Sequence, residues 1–274
     1  VRIAAAAGLA RHAEAARADG NIAPLVKVVS AALPPMLGGD PQSGPAAAID
    51  WLAARGLSIM QSLGPSAGSK EAVAAAARIL GDASRAVDLR VRAALALGAA
   101  ASAESGIDAA RAVDAVRSVA IAGLEADETA AENRRLEQRV AGRAAQPGPQ
   151  PPGQQPPEPT IPALACRRNA WRLAACAEAI EGVDGSSGLA RLLGGDAAPA
   201  KDLAAALKQA AAGLDANPDE RSVLEALEKL GKPVAAATPR TNRPAPPATG
   251  EPRRDVPPSG DTTSPFESTS PFGP

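Results

Sequence analysis

Alanine supplies much of the apolar content of this sequence, and large apolar side chains are scarce. Hydrophobic residues make up 45% of the 274 residues, but only 1% are aromatic: two Trp, two Phe and no Tyr. Alanine favours helix strongly and buries little area, whereas sheets depend on β-branched and aromatic side chains. The composition therefore predicts an all-α fold in which helices pack closely on one another.

Glycine and proline divide the first half of the chain into helical segments. Apolar residues recur at helical spacing over about 1–18, 22–33, 46–63, 70–80, 85–101 and from 107 onward. Pro34 and Pro35 are expected to end the second helix, because proline lacks the backbone N–H that a helix interior requires. The stretch from Pro34 to Pro45 is then an inserted loop. Residues 125–135 carry no large apolar side chain and are compatible with a solvated helix or a frayed one.

One segment recurs along the chain in similar form. Its clearest copy is Asp88–Gly98, which reads DLRVRAALALG, and weaker copies lie at 1–9 and 50–60. A unit that repeats suggests helix pairs stacked in a row, and such stacks usually expose a surface that binds another molecule. The repeat predicts a binding architecture without naming the partner.

The recurring segment resembles the second helix of a HEAT repeat, an antiparallel helix pair whose second helix opens with an aspartate followed by Val-Arg and small residues. Arg2, Arg55 and Arg92 occupy the matching positions, about 40 residues apart once the inserted loop is discounted. The resemblance covers residues 1–125 and implies a short α-α superhelix. A weaker resemblance relates the Val-Arg-Ala-Ala pattern to the HEAT-like units of phycobilisome lyases.

The resemblance also implies roles for individual charged residues. In HEAT repeats the aspartate and the arginine form a ladder between neighbouring units. Here this assigns Asp88 and Arg92 to one rung and Asp50 and Arg55 to another. The expected role of these four side chains is structural.

A stretch rich in Pro, Gly and Gln divides the chain in two, since it lacks the apolar residues needed to fold. The predicted organisation is a HEAT-like repeat domain at 1–144, a linker at 145–162, a small helical bundle at 163–231 and a disordered Pro-rich tail at 232–274. Asn217 is expected to be the N-cap of the last bundle helix, with Pro218 at its first position. About 70 residues make a marginal core, so the bundle is expected to pack on the repeats or on a partner.

Candidate catalytic and metal-binding residues are few. His12 is the only histidine, and no motif places a nucleophile or an acid beside it. Cys166 and Cys176 belong to one predicted helix and are roughly 15 Å apart along its axis, too far for a disulfide. One His and two distant Cys do not supply a four-ligand zinc site. The sequence predicts no catalytic residue, no cofactor and no metal, and favours a protein that is not an enzyme.

Arginines support an alternative hypothesis, in which a face of the repeats binds nucleic acid or a phosphate-bearing ligand. It requires five arginines to share one exposed surface: Arg85, Arg90, Arg92, Arg111 and Arg117. A second group of arginines, Arg167, Arg168 and Arg172, surrounds Trp171 and could contact a phosphate. The preferred interpretation is a solvated helix face with the tryptophan in the core. The formal net charge of −1 argues against a nucleic-acid partner.

A second alternative is a HEAT-like lyase-type enzyme. This hypothesis requires a pocket with convergent polar groups near His12, Trp51 or Cys166. The sequence supplies no further residues that such a lyase would need.

The tail carries a candidate linear motif in two copies, Ser264-Pro265-Phe266 and Ser270-Pro271-Phe272. Each copy presents an apolar anchor in a polar, extended chain, and duplication would raise the avidity for a partner. A low-complexity tail that happens to repeat is the competing interpretation.

The function that these features favour is a non-enzymatic scaffold for protein–protein interaction, with an unidentified protein partner. No transmembrane run and no signal peptide is visible, and two free thiols are typical of a reducing compartment. We therefore expect a cytoplasmic protein that does not bind membranes, unless a segment precedes Val1.

Overall fold

Every regular element in the part of the chain that the structure describes is helical. The computed structural model describes residues 2–38, 45–145, 160–183 and 187–231, and no strand occurs in these ranges. The helices belong to one compact unit that spans residues 1–236. The predicted all-α class is confirmed, because alanine-rich segments form helices readily and let their axes approach closely.

Ten α-helices lie within the described ranges. Their bounds are α1 Arg2–Ala18, α2 Ala23–Gly38, α3 Ala46–Leu63, α4 Lys70–Gly81, α5 Val87–Ala100, α6 Ala109–Ala145, α7 Ala163–Glu181, α8 Leu189–Leu192, α9 Ala198–Ala216 and α10 Glu220–Lys229. Short 3₁₀ turns follow α3, α5 and α8. The bounds of α3 and α4 agree with the sequence prediction to within one residue.

The helices alternate between two layers. The odd-numbered helices form one layer, in which each packs on the next, from α1 to α9. In the other layer α2 packs on α4 and α4 on α6, which also contacts α8 and α10. Between the layers α2 packs on α3, α4 on α5, α6 on α7 and α10 on α9. The chain therefore crosses from one layer to the other and stacks helix pairs in a row.

The odd-numbered helices α3, α5 and α7 run in the same direction. Asp50, near the start of α3, pairs with Arg85, just before α5. Gly64, just after α3, lies beside the Ala99 carbonyl near the end of α5. The C-terminal ends of α5 and α7 also meet, at Gly98. Equivalent ends of α3, α5 and α7 are thus adjacent.

α5 is the centre of the core. Ten of its 14 residues are buried, because α3, α4, α6 and α7 all pack on it. A Cβ atom at Gly98 would lie only 2.8 Å from the Ala179 Cα of α7. The Gly188 N–H also donates a 2.8 Å hydrogen bond to the Gly98 carbonyl. The absence of a side chain at position 98 is what allows α5 and α7 to approach this closely.

Side-chain N-caps stabilise the starts of α4 and α10. At the start of α4, Ser69 Oγ accepts a hydrogen bond from the Ala72 N–H at 3.2 Å, as a serine N-cap does. The prediction for α10 is wrong, because Asp219 rather than Asn217 is its N-cap. The Asp219 carboxylate accepts a hydrogen bond from the Ser222 N–H at 2.8 Å. Asn217 instead follows α9, which runs up to it.

The prediction that Pro34 and Pro35 end the second helix is also wrong. α2 continues to Gly38 with both prolines inside it. Leu37, in the last turn, is 2% exposed and packs against Gly56 of α3. Burial of this side chain offsets the backbone hydrogen bonds that proline cannot make.

α6 and α7 flank the predicted linker and pack on each other. α6 is a continuous helix of 37 residues. It includes residues 125–135, which the sequence analysis described as either a solvated helix or a frayed one. α7 packs on α5 as well as on α6, so helices from both sides of the linker contribute to one hydrophobic core. Residues 146–159 of the linker lie outside the described residues.

Candidate binding groove

Three parallel helices of the odd-numbered layer each leave one side uncovered. Residues three and four positions apart lie on the same face of a helix. On each of these helices one such row of three residues, here called a stripe, is exposed or half-buried, apart from one buried leucine. The stripes are Arg55, Ser58 and Ser62 on α3, Arg92, Leu95 and Ala99 on α5, and Trp171, Ala174 and Glu178 on α7. We call this surface the groove face.

The groove face carries a cavity of about 860 Å³ near the C-terminal ends of these helices. Ser62, Leu95, Ala99 and Glu178 belong both to the stripes and to the cavity lining. The remaining walls come from the end of α1, the last turn of α3 with the turn that follows it, and the residues around α8. They include Arg17, Gln61, Pro65, Ser187 and Arg191. We call this cavity the groove.

Small side chains form the floor of the groove. Ser62, Gly98 and Ala99 all lie in its lining, and the contact between α5 and α7 at Gly98 brings the helix axes together. Farther along α3, the Ser58 hydroxyl donates a 3.0 Å hydrogen bond to a backbone carbonyl of its own helix. A floor of this kind allows the main chain of a bound segment to approach the helices.

Arginines surround the groove. Arg17 and Arg191 line it, and Arg191 Nη2 donates a 3.5 Å hydrogen bond to a backbone carbonyl just after α5. On the same face, the Arg55 guanidinium carbon lies 5.0 Å from the centroid of the Trp51 ring, a cation–π contact. Glu178 supplies an acidic group to the described lining. The groove is therefore a mixed polar and apolar surface with a cationic rim.

The two aspartates that the resemblance assigns to a ladder pair with arginines of the next odd-numbered helix or of the segment just before it. Asp50 of α3 pairs with Arg85, which precedes α5. Asp88 in the first turn of α5 accepts a 2.7 Å hydrogen bond from Arg172 Nε of α7. Each contact connects one helix pair to its successor, but the arginines differ from those that the sequence suggested.

The arginines that the sequence assigned to the ladder lie elsewhere. Arg55 stacks on Trp51, and Arg92 is exposed on the groove face. The side chain of Arg2 lies outside the described side chains. The reason is geometric: a ladder contact needs a side chain that faces the adjacent helix, and Arg55 and Arg92 lie on the uncovered side.

Arg172 is the centre of a polar cluster between α5, α6 and α7. Beyond its bond to Asp88, its Nη1 donates to Asn169 Oδ1 at 2.8 Å. Asn169 Nδ2 donates to Asp127 Oδ2 at 3.0 Å, and Arg168 Nη2 donates to Asp127 Oδ1 at 2.8 Å. These side chains satisfy one another within the protein, so the cluster holds three helices together.

The expectation of a core tryptophan at 171 is wrong. Trp171 is 44% exposed, whereas its neighbour Arg172 is only 7% exposed. One residue turns an α-helix by about 100°, so two adjacent side chains cannot face the same neighbour. Arg172 points to the interior, where it contacts the carboxylates of Asp88 and Asp127. Trp171 therefore lies on the groove face.

The five arginines of the nucleic-acid hypothesis do not share one exposed surface. Arg85 pairs with a ladder aspartate. Arg90 is buried and donates to a carbonyl near the end of α4 at 3.0 Å, and burial lowers the pKa of its guanidinium. Arg117 Nε donates to the carbonyl that follows α10 at 3.1 Å. Arg92 lies on the groove face, but Arg111 lines a different cavity, between α4 and α6.

That second cavity measures about 550 Å³. Its carboxylates already cap local turns: Asp82 accepts a hydrogen bond from the Ser84 N–H at 3.0 Å, and Asp108 accepts one from the Arg111 N–H at 3.0 Å. Bonds from the Ser84 side chain and backbone hold the pKa of Asp82 below its usual value. The groove is the larger of these two cavities and draws its lining from more helices.

The residues proposed for an enzyme do not converge on either cavity. His12 is exposed on α1. Burial raises the pKa of the Cys176 thiol to about 12. Burial also raises that of Cys166, whose Sγ donates to the Asp219 carbonyl at 3.6 Å. Such thiols stay protonated at neutral pH and are poor nucleophiles. Neither these three side chains nor Trp51 lines the groove or the second cavity.

No group of three or more His, Cys, Asp and Glu side chains that could hold a metal ion occurs within the described ranges. No helix in the same ranges has a long enough apolar stretch to cross a bilayer. The Ser-Pro-Phe motifs at 264–266 and 270–272 lie outside the described residues.

The sequence analysis singled out Arg55 and Arg92 as ladder residues and Trp171 as a core residue, and it did not predict the groove face. Ser58 and Ser62 follow Arg55 at helical spacing and give a weak signal, since small polar residues on an alanine-rich helix mark a side that no neighbour covers. Arg17 and Arg191 carry no such signal, because only the packing of α1 and α8 brings them to the groove.

The described part of the chain is thus an all-helical structure whose helices pack in two layers, with a groove on the odd-numbered layer. No known protein family matches the chain, and no curated protein or solved structure matches it either.

Proposed function

We propose that this protein is a non-enzymatic scaffold that binds a protein partner along the groove face of a short HEAT-like superhelix. The observation that carries the proposal is the groove itself, which is shared by parallel helices and lined mainly by small and polar side chains. A surface shared by successive helices is how helical repeat proteins bind extended partners.

The HEAT-like assignment is supported by the order of helix contacts. α2 with α3, α4 with α5, and α6 with α7 form three successive pairs, and α1 packs on α3 as the second helix of a preceding pair would. The contacts of Asp50 with Arg85 and of Asp88 with Arg172 connect these pairs as ladder rungs. On this assignment the predicted linker is an insertion between the two helices of the third pair.

Site-specific photo-crosslinking tests the scaffold proposal. A benzoylphenylalanine at Ala99, on the groove floor, is expected to capture one protein in cells of the source organism. The same group at Ala126, exposed on α6, serves as the matched control and is expected to capture none. Repeating the experiment without residues 232–274 separates binding in the groove from binding by the tail. Equal labelling from positions 99 and 126 would contradict the proposal.

A further inference from the structure

Arginines without an acidic partner accumulate on the groove face, although the chain as a whole has a net charge of −1. Arg55 and Arg92 lie in its stripes, and Arg17 and Arg191 line its groove. Among the described residues, none of these four takes part in an ion pair. The face is therefore locally cationic in a protein that is globally neutral.

Two acids near the N-terminal ends of α3 and α5 are already neutralised. Asp50 pairs with Arg85, and Asp88 pairs with the buried Arg172. Glu178 remains as the carboxylate of the described groove lining. The contacts that connect the helix pairs thus neutralise one aspartate on α3 and one on α5, the helices that carry Arg55 and Arg92.

The spacing of the arginines suits an extended chain. Adjacent packed helices lie about 8–10 Å apart, so Arg55 on α3 and Arg92 on α5 present guanidinium groups on roughly that scale. An extended peptide rises about 3.3 Å per residue, and carboxylates two to four residues apart can reach both arginines. Arginine binds carboxylates through two parallel hydrogen bonds. The small floor admits the main chain, and Trp171 offers an apolar contact at one side.

We propose that the partner segment bound on the groove face is an extended, acidic peptide that crosses α3, α5 and α7. Its carboxylates contact Arg55 and Arg92, and an apolar side chain packs on Trp171. This inference rests on the proposed scaffold function and adds the chemistry of the partner. A protein segment is favoured over single-stranded nucleic acid because Arg55 already covers the Trp51 ring, which removes one of the two tryptophans on which bases could stack.

Fluorescence anisotropy with three labelled probes tests this inference. The probes are a peptide of about a dozen residues that alternates Glu with Ser and Leu, the same peptide with Lys in place of Glu, and an oligothymidylate of similar length. The acidic peptide is expected to bind most tightly, and its binding is expected to weaken with added salt, because exposed charges are screened. Tighter binding of the oligonucleotide, or equal binding of the two peptides, would overturn the inference.

Charge-reversal variants locate the binding. R55E/R92E is expected to weaken the acidic peptide at least about tenfold, since two charge-assisted contacts become repulsive. K70E/R139E makes the same change in charge on exposed residues of α4 and α6, and it is expected to bind as the parent does. Circular dichroism shows whether both variants keep their helices. Unchanged binding by a folded R55E/R92E would also overturn the inference.

The two proposals fail separately. If the protein crosslinked through position 99 is still captured by R55E/R92E, the scaffold proposal stands and the acidic chemistry of the partner is wrong. If position 99 captures no protein, the scaffold proposal fails whatever the peptides do.

Discussion

Gly98 decides how closely α5 and α7 can pack. Its position inside an alanine-rich helix, near the C-terminal end, is unfavourable for the isolated helix, since glycine costs up to about 0.5–1 kcal/mol relative to alanine in a helix. The backbone of Ala179 occupies the space that a side chain would need. The tertiary contact thus outweighs helix propensity at this residue.

Gly98→Ala is expected to destabilise the protein by about 2–4 kcal/mol, because the clash is with backbone and the helices must separate to relieve it. Urea denaturation followed by circular dichroism measures the change. Gly8→Ala in α1 is the matched control, since nothing lies within 4 Å of a Cβ atom at Gly8. The control is expected to gain up to about 1 kcal/mol. A Gly98→Ala protein as stable as the parent would show that the helices can move apart freely.

Arg172 and Arg168 contact the same region but differ in burial. The Arg172 side chain is 9% exposed and that of Arg168 is 48% exposed. Arg172→Gln is expected to cost about 2–4 kcal/mol, because it removes the hydrogen bonds that the buried guanidinium donates to Asp88 and Asn169. Arg168→Gln is expected to cost less than about 1 kcal/mol, since exposed ion pairs contribute little. Chemical denaturation of both variants measures this difference, and equal losses would contradict the buried role of Arg172.

At the scale of the element, the N-cap of α10 is Asp219 and not the predicted Asn217. Hydrogen bonds from the Ser222 backbone N–H and side chain lower the pKa of Asp219. A carboxyl with a lowered folded-state pKa stabilises the protein above its unfolded-state pKa of about 3.9. That contribution is lost as the pH falls through the folded-state value.

Asp219→Ala is therefore expected to lower the melting temperature at pH 7 and to reduce the further loss on acidification below about pH 4. Asp219→Asn keeps an oxygen acceptor for the cap and is expected to remain near the parent at pH 7, with a flatter acid profile. Asn217→Ala is the control, because Asn217 does not cap α10. Thermal melts followed by circular dichroism between pH 2 and pH 7 report these differences. A larger loss from Asn217→Ala than from Asp219→Ala would restore the sequence assignment.

At the scale of the whole molecule, the linker joins two helices that share one core. α6 precedes it, α7 follows it, and α7 packs on α5 as well as on α6. A protease site introduced within residues 146–159 is expected to yield two fragments that stay associated, because cleavage breaks no packing contact between the described helices. Size-exclusion chromatography of the cleaved protein tests this. Two separately eluting folded fragments would instead support independent domains.

Residues 163–231 depend on the same core for part of their stability. α9 packs on α7, and α7 buries Leu173, Cys176 and Ile180 in a core that also contains residues of α5 and α6. Residues 163–231 expressed alone would expose part of that surface to water. The sequence prediction that this segment packs on the repeats follows the same physical reasoning, since about 70 residues bury a small core.

The sequence by itself determined that the described chain is helical and where most of its helices begin and end. Alanine content, helical spacing and the Ser69 cap are local properties, because they depend on residues within one or two turns. The local rules failed at Pro34 and Pro35, where the burial of Leu37 keeps α2 helical beyond its expected end.

Only the tertiary structure decided which side of each helix is covered. The pairing of Asp88 with Arg172, the exposure of Trp171 and the arrival of Arg17 and Arg191 at the groove all depend on residues far apart in the sequence. Helical periodicity gives the angle between side chains on one helix, but it does not specify which neighbouring helix lies opposite them. The groove exists because the stacking of helix pairs leaves one side of α3, α5 and α7 uncovered.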